Sequence, residues 1–390
     1  MAIPFVYNLR NVQQRPVATL TTAVGVGLTV SIFIGALALA AGFRAALIST
    51  GSPDNVILLR KGADSEISSG ISRDAVNILR AYSDVKAGPD GRPLVTADLV
   101  VVTNKDRLGM KGSSNVTVRG VDPAGVGVRT HLVIQPGGRM FTPGTDEVIV
   151  GTRVAKRFAN CAIGDRIVFQ QRSFEVVGHF TAEGSAFESE IWGDASVLGP
   201  ALGRENTFQT VTFRMKDPSR FDALKAEIER DPRLQVQAKR EKDFYAEQSE
   251  FFTNLITGVG VFITLIMAIG AVFGAANTMY AAIGARTREI ATLLVLGFRP
   301  GAIMVSFLVE SVLICLLGGV IGCLIALPIN GIATSTTNFQ SFSEVGFAFA
   351  VTPPALLAGL IFSVLMGLFG GFFPALRAAR QVPATALRGG

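Results

Sequence analysis

The sequence predicts a multi-pass α-helical membrane protein with four transmembrane helices and a large α+β extracytoplasmic domain inserted between helices 1 and 2. Three observations predict it. Uninterrupted apolar segments run from Val17 to Ala41, Leu255 to Ile283, Gly301 to Ile332 and Pro353 to Phe373. Each has at least the ~20 residues a helix needs to cross a hydrocarbon core, where only closed backbone hydrogen bonding is tolerated. The 390 residues are 49% hydrophobic with a mean hydropathy of +0.43, more than an ordinary soluble domain keeps in water. The third observation is the polar, strand-rich stretch that separates the first and second segments.

Charge orients the helices. From Arg44 to Glu250 there are 28 Lys and Arg against 27 Asp and Glu, so the excess behind the pI of about 9.4 lies elsewhere. It sits at Arg10 and Arg15, at Arg286, Arg288 and Arg299, and at Arg377, Arg380 and Arg388. The linker from Ala333 to Thr352 carries no Lys or Arg and one acid, Glu344. By the positive-inside rule both termini and the 286–299 loop are cytoplasmic and the large domain is outside. A nucleic-acid surface would need basic charge clustered on one soluble face, and the near-neutral insertion has none, so no nucleic-acid partner is expected. The first apolar run is also longer than the ~7–15 residues of a secretory h-region, which makes it an uncleaved span.

Within the insertion, Asn55–Leu59 reads as a short buried strand. Ser72 caps a helix with Val76, Leu79 and Tyr82 on one face, and Leu94–Thr103 returns as strand after Pro89-Asp90-Gly91. Further strands are expected at Val116–Val121, Glu147–Val150, Arg166–Phe169, Phe174–Phe180, Thr207–Met215 and Leu234–Val236, with helices at Thr152–Ala159 and Pro218–Glu229. Two subdomains result, the chain leaving and re-entering the first. From Glu241 the pattern is helical and nothing breaks it before Gly258, so a continuous helix running into the second span is predicted.

Catalytic and ligand motifs are missing. There is no G-x-x-x-x-G-K-[ST], H-E-x-x-H or Ser-His-Asp order. His131 and His179 have no clustered cysteines, so no metal site is expected. Of the three cysteines, Cys161 is alone, and Cys315 and Cys323 lie eight residues apart on one helix and cannot bridge. Gly318, Gly319 and Gly322, and Gly367, Gly370 and Gly371, have the spacing that lets helices approach closely in lipid. Two polar side chains within the spans need explanation, Asn277 and Glu310. A latch or gate between helices and a simple packing role near the interface both fit them. The segment 286–300 reads as a short surface helix: Arg286, Arg288 and Glu289 start it, and Ile290, Leu293, Leu294 and Leu296 form its apolar face. Gly297 suits the C-cap and Pro300 the first turn of the next helix.

Several of these residues stand in a recognisable order. Asn277-Thr278-Met279, Arg286 through Gly297, Phe307-Leu308 with Glu310, and Gly318-Gly319 with Gly322 are followed by a tail from Phe373-Pro374-Ala375 through Ala378-Ala379-Arg380 to Val382-Pro383-Ala384 and Ala386-Leu387-Arg388. With Asn8-Leu9-Arg10-Asn11 and Arg15-Pro16 ahead of the first span, they resemble the FtsX-like permease family of ABC transporters, of the macrolide-exporter and lipoprotein-release type (type VII). Gly137-Gly138-Arg139-Met140-Phe141, Glu147 through Gly151, and Gly164-Asp165 resemble that family's periplasmic core.

The resemblance implies a permease subunit of the bacterial inner membrane, not itself an enzyme, docked through 286–297 on a cytoplasmic ABC ATPase subunit from another polypeptide. It implies pairing with a second permease copy or a paralogue in the lipid bilayer, and an adaptor and outer-membrane channel where the envelope has two membranes. No cofactor is bound by this chain; ATP and magnesium sit on the partner ATPase. Its boundaries become 1–43 for the lead-in helix and first span, 44–240 for the periplasmic core, 241–285 for stalk and second span, 286–300 for the coupling helix, 301–376 for spans three and four, and 377–390 for the cytoplasmic tail. Export or extraction of an amphiphile, lipoprotein, peptide or drug is the expected activity. A non-transporting signaller that regulates a cell-wall hydrolase or senses a peptide is the alternative, and a membrane-anchored enzyme the third possibility.

Overall fold

In the computed structural model, residues 7, 10–11, 14–109, 111–122, 125–129 and 131–382 are described. Asn8 and Leu9 of the lead-in motif and the tail from Pro383 through Arg388 lie outside them. The chain divides into two compact units. One comprises the chain up to Ala41, Asn254–Ile332 and the chain from Phe349; the other comprises Gly42–Thr253 and Ala333–Ala348.

Among the described residues, four helices are long and apolar enough to cross a membrane: α1 (Pro16–Ile48), α7 (Glu241–Ala285), α9 (Pro300–Ala326) and α10 (Pro353–Ala379). The third apolar run extends to Ile332, but its helix is shorter. It ends at Ala326 and a single 3-10 turn, Leu327–Ile329, because Pro328 has no N–H to continue the ladder and Gly331 turns the chain at φ +81°. Their shared core holds Val26, Val30 and Ile34 of α1, Ala268 and Ala275 of α7, Cys315 and Ala326 of α9, and Met366 of α10.

The second unit is a mixed sheet flanked by helices. Its elements are β1 (Asn55–Arg60), β2 (Ile71–Ser72), α2 (Arg73–Arg80), β3 (Val95–Asp106), β4 (Ser113–Val121), α3 (Gly125–Val128), β5 (Val133–Ile134), β6 (Glu147–Gly151), α4 (Thr152–Ala155), β7 (Arg166–Phe169), β8 (Arg172–Thr181), β9 (Glu190–Asp194), α5 (Ala195–Ala201), β10 (Thr207–Phe208), β11 (Thr210–Arg214), α6 (Phe221–Arg230) and β12 (Val236–Arg240). Strand order is β12-β1-β11-β3-β4-β9-β6-β8-β5, with β7 on β8. The long strand β3 joins two halves: Val95–Asp98 pair with β11, and Leu99–Asp106 pair with β4. Pairing is antiparallel except between β4 and β9 and between β6 and β8.

Apolar alternation explains the two halves. Val56, Leu58, Val95, Ala97, Val211 and Phe213 face Val76 and Leu79 of α2 and Leu224 and Ile228 of α6. Ser72 caps α2 by accepting from the Ala75 N–H, as its position before the helical repeat predicts. In the other half Val116, Val118, Val148, Val150, Phe174 and Val176 pack with Val154 and Leu198.

Other local expectations shift. The helix expected over Thr152–Ala159 is one turn, Thr152–Ala155. The strand expected over Thr207–Met215 breaks at Gln209, whose Oε1 accepts the Val100 N–H at 2.8 Å. The strand expected at Leu234–Val236 begins at Val236, since Gln235 is left-handed at φ +45°. The 333–352 segment, read as a linker, contains a hairpin, β13 (Ala333–Thr337) and β14 (Glu344–Ala348). Glu344, its acid, anchors it: Arg107 lies at 2.6 Å, Arg157 at 3.2 Å, and Ser335 Oγ donates at 2.6 Å. Burial pushes that carboxyl up, but the Ser335 and Ser114 hydroxyls and the two arginines together hold it below its usual range.

Candidate functional site

The short helix predicted at 286–297 forms as α8 (Thr287–Val295). Arg286 is its buried N-cap, Leu296 its C-cap, and Gly297 turns the chain out at φ +88°, a conformation that suits glycine. The residues expected to form one apolar face, Ile290, Leu293, Leu294 and Leu296, do not share one side. Ile290 and Ala291 are buried, and Leu293 and Leu294 are half-buried, against Met279, Ile283, Ile303, Phe307 and Ala375. The helical period carries the next residues to the opposite side, where Val295 and Leu296 are 65% and 66% exposed. Arg288, Glu289 and Thr292 are also exposed. The outward surface of α8 is therefore two aliphatic side chains beside a charged pair, and Leu293 belongs to its inner side. Glu289 Oε2 accepts from Tyr7 Oη at 3.2 Å.

Glu310 and Asn277 are not brought together. Glu310 is buried on α9 and pairs with Arg286, whose Nη1 donates to its Oε2 at 3.4 Å. Asn277 is exposed on α7. The pair ties the start of α8 to the end of the third turn of α9, as a charge in an apolar bundle requires.

The six singled-out glycines all sit at helix crossings. A Cβ on Gly318 would lie 2.6 Å from Ala23 O, and one on Gly322 would lie 2.7 Å from Gly27 O, both backbone atoms of α1. Gly319 faces Ser363 of α10, Gly367 and Gly371 face Ser311 on α9, and a Cβ on Gly370 would lie 3.0 Å from the Ala275 Cβ of α7. Close backbone approach of this kind is how helices associate in lipid.

A second constellation, of buried charges, is not anticipated by any motif in the sequence. Arg119 of β4 and Asp98 of β3 are both 0% exposed. The Arg119 guanidinium forks onto Glu66 (2.9 and 3.0 Å) and Glu190 (2.7 and 2.9 Å), and reaches Asp98 at 3.2 Å. Arg129, just after α3, bonds Asp98 and donates to Glu241 at 3.0 Å. Arg129 also stacks 4.4 Å over the Phe187 ring, and Trp192 Nε1 donates to Glu190 at 2.7 Å.

Burial works against every charge here, and the partners decide the outcome. Burial draws both guanidiniums down, yet Glu190 and Glu66 raise Arg119 well above its usual range, and Asp98 and Glu241 raise Arg129. Asp98 is pushed up by burial, but Arg129 and Arg119 hold it low; Glu190 stays raised, burial outweighing Arg119. The available signal was a charged residue inside a valine-rich strand, Asp98 before Leu99-Val100-Val101 and Arg119 after Val116-Thr117-Val118. Periodicity alone does not tell a buried ion from an outward one.

Comparison with known proteins places both units. Residues 19–231 match the MacB-like periplasmic core domain, and residues 261–383 match the FtsX-like permease C-terminal region. Similar relatives include macrolide export ATP-binding/permease protein MacB of Bordetella avium, 26% identical over 95% of this chain and 57% of the relative. Another is MacB 1 of Aeromonas hydrophila, 28% identical over 71% of this chain and 44% of the relative. The chain thus spans about half the length of the curated relatives it matches. A solved structure of the periplasmic region of MacB from Actinobacillus actinomycetemcomitans is 14% identical, covering 50% of this chain and 92% of that one, with a TM-score of 0.38. The match over more than half of its length, followed by the second match toward its C-terminus, makes this chain a member of the MacB-like periplasmic core domain family with an FtsX-like permease region.

Proposed function

We propose that the chain is a permease subunit of an ABC transporter in the bacterial inner membrane, with both termini and α8 cytoplasmic and the sheet unit outside. An ATPase binding ATP and magnesium docks on α8 and drives a conformational change of the outside unit, which exports or extracts an amphiphile, lipoprotein, peptide or drug. The observation that carries the reading is the outward side of α8, where Val295 and Leu296 stand exposed beside Arg288 and Glu289 on a helix whose inner side is buried. An exposed aliphatic pair with a charged rim fits a protein partner. Nucleotide is bound elsewhere, since these 390 residues contain no G-x-x-x-x-G-K-[ST]. A second permease copy or a paralogue completes the assembly, and a periplasmic adaptor with an outer-membrane channel extends it.

Support for transmission comes from α7, one uninterrupted helix of 45 residues, roughly 68 Å at 1.5 Å per residue. A helix of that length passes a displacement along its axis. The test is purification from native membranes in mild detergent of the wild type and Leu296→Asp. Wild type is expected to bring down an ABC ATPase and stimulate its hydrolysis, and Leu296→Asp to lose both. An intact, stimulated complex with Leu296→Asp removes the proposed contact.

A further inference from the structure

We propose that the buried ion chain Glu241–Arg129–Asp98–Arg119 is the joint through which α7 acts on the sheet, with Arg129 and Glu241 as its positioning residues. The proposal rests on the reading of the chain as an ATP-coupled permease and adds to it the place where motion enters the outside unit.

Chemistry sets this cluster apart from ordinary core. Two arginines and four carboxylates are sequestered, and aliphatic residues of similar volume would serve stability as well or better. What forked guanidinium–carboxylate contacts supply instead is direction, because each fixes the orientation of both partners. Each member comes from a different element: Glu66 from the loop after β1, Asp98 from β3, Arg119 from β4, Glu190 from β9, Arg129 from the segment after α3, and Glu241 from the first position of α7.

Asp98 stands where β3 changes partner. It is paired with Thr210 of β11, and the next residue, Leu99, is paired with Gly120 of β4. The ion chain therefore ends at the seam between the two halves of the sheet, beside Arg119, the neighbour of Gly120.

The first turn of α7 is seated with little freedom. Glu241 is 1% exposed, and its Oε2 accepts from Asn55 Nδ2 at 2.9 Å and from the Ser52 N–H at 3.0 Å. A Cβ on Gly51 would lie 2.6 Å from the Glu241 carbonyl, so the two backbones touch. Phe244 and Tyr245 are buried with Phe187 and Trp192. A tilt or turn of α7 carries the Glu241 carboxylate with it, Arg129 follows, and the other end of the guanidinium bears on Asp98. An apolar contact of equal area slides; a fork anchored at both ends pulls.

The experiment uses the full chain with its ATPase in lipid nanodiscs. Spin labels at Glu227→Cys on α6 and Lys156→Cys after α4, both exposed, report the distance between the halves, with the three native cysteines replaced. Wild type is expected to change that distance on ATP addition. Glu241→Gln keeps the shape of the side chain and removes its charge; it is expected to hydrolyse ATP within twofold of wild type while the ATP-dependent distance change falls at least fivefold. Arg129→Lys keeps a cation against Asp98 but loses the fork, and is expected to behave the same way; it decides the matter if Glu241→Gln does not fold. A wild-type-sized distance change in either folded variant overturns the joint. No distance change in wild type, with hydrolysis intact, overturns the transmission reading itself and the joint with it.

Discussion

Replacing Gly322 by alanine places a methyl group where α9 and α1 leave no room for one. The new Cβ would lie 2.7 Å from Gly27 O and 2.8 Å from the Val30 Cβ, while ordinary contact begins near 3.4 Å. Both neighbours are main chain or the root of a branched side chain, so neither swings aside. α9 has to move off α1 by more than half an ångström, and the paired approach at Gly318, where a Cβ would lie 2.6 Å from Ala23 O, opens with it. Overpacking on this scale costs about 1–3 kcal/mol, against a helix-propensity gain of at most ~1 kcal/mol for alanine over glycine. With the full propensity gain the expected net loss is ~0–2 kcal/mol. Gly35 on α1 is the control, with nothing within 4 Å of its Cβ position; Gly35→Ala is expected to be neutral or to stabilise by up to ~1 kcal/mol. The assay is thiol labelling of Cys315, which is 0% exposed in the helix core, in mixed micelles of rising SDS fraction with Cys161 and Cys323 replaced. Gly322→Ala should expose Cys315 at lower SDS than wild type. Equal midpoints for Gly322→Ala and Gly35→Ala would refute the packing argument, and Gly318→Ala combined with Gly322→Ala should cost less than the sum because one displacement relieves both.

Three further outcomes are expected. Glu310→Ala leaves Arg286 buried without its partner, a loss of about 3–5 kcal/mol, and adding Arg286→Ala should recover part of it in a double-mutant cycle; strictly additive losses would contradict the ion pair. Glu147 is held at about 2, first by its hydrogen bonds from Arg139, at 2.7 Å for one of them. Its folded value lies below the ~4.3 of an unfolded glutamate, so its contribution is fully present above that value and drains away as pH falls toward 2. Urea unfolding followed from about pH 6, above both values, down to about pH 2.5, between them, should therefore show a steeper acid loss in wild type than in Glu147→Gln, and parallel curves would remove the assignment. Cys161 is buried, which pushes its thiol up to about 11, so the native protein at neutral pH should leave it unmodified by maleimide while urea-unfolded protein reacts at once; rapid labelling of the folded chain would contradict its burial.

Much of the architecture can be read from residue patterns because each pattern has a single physical solution. A 29-residue apolar run cannot be anything but helix in lipid, and the absence of Pro and Gly between Glu241 and Thr257 leaves α7 nothing to end on. Gly297 as a left-handed cap and Ser72 as an N-cap follow from chemistry contained in one turn of chain. What escaped reading depends on partners far away in sequence. β13 is Ala-Thr-Ser-Thr-Thr, without apolar alternation, and becomes a strand through pairing with β14 and through Glu344 meeting Arg107 and Arg157. β9 carries Glu190 and Asp194 at its ends, which resembles a loop until Arg119 and Trp192 claim the glutamate. The sequence pattern puts Leu296 on one face with Ile290, Leu293 and Leu294 for a related reason. A short amphipathic helix shows which residues are apolar but not where its buried arc ends, and Val295 and Leu296 fall beyond it.

The sidedness of α8 and of the sheet unit bears most directly on the account. Leu296→Cys and Ser219→Cys, introduced separately into chain lacking the native cysteines, would be labelled in intact cells with a membrane-impermeant maleimide, and again after permeabilisation. Position 219, in the exposed turn before α6, should react in intact cells, and position 296 only once the membrane is opened. Labelling of position 296 from outside, or of position 219 only from within, would put the docking helix and the moving unit on the wrong sides and contradict ATP-driven transmission altogether.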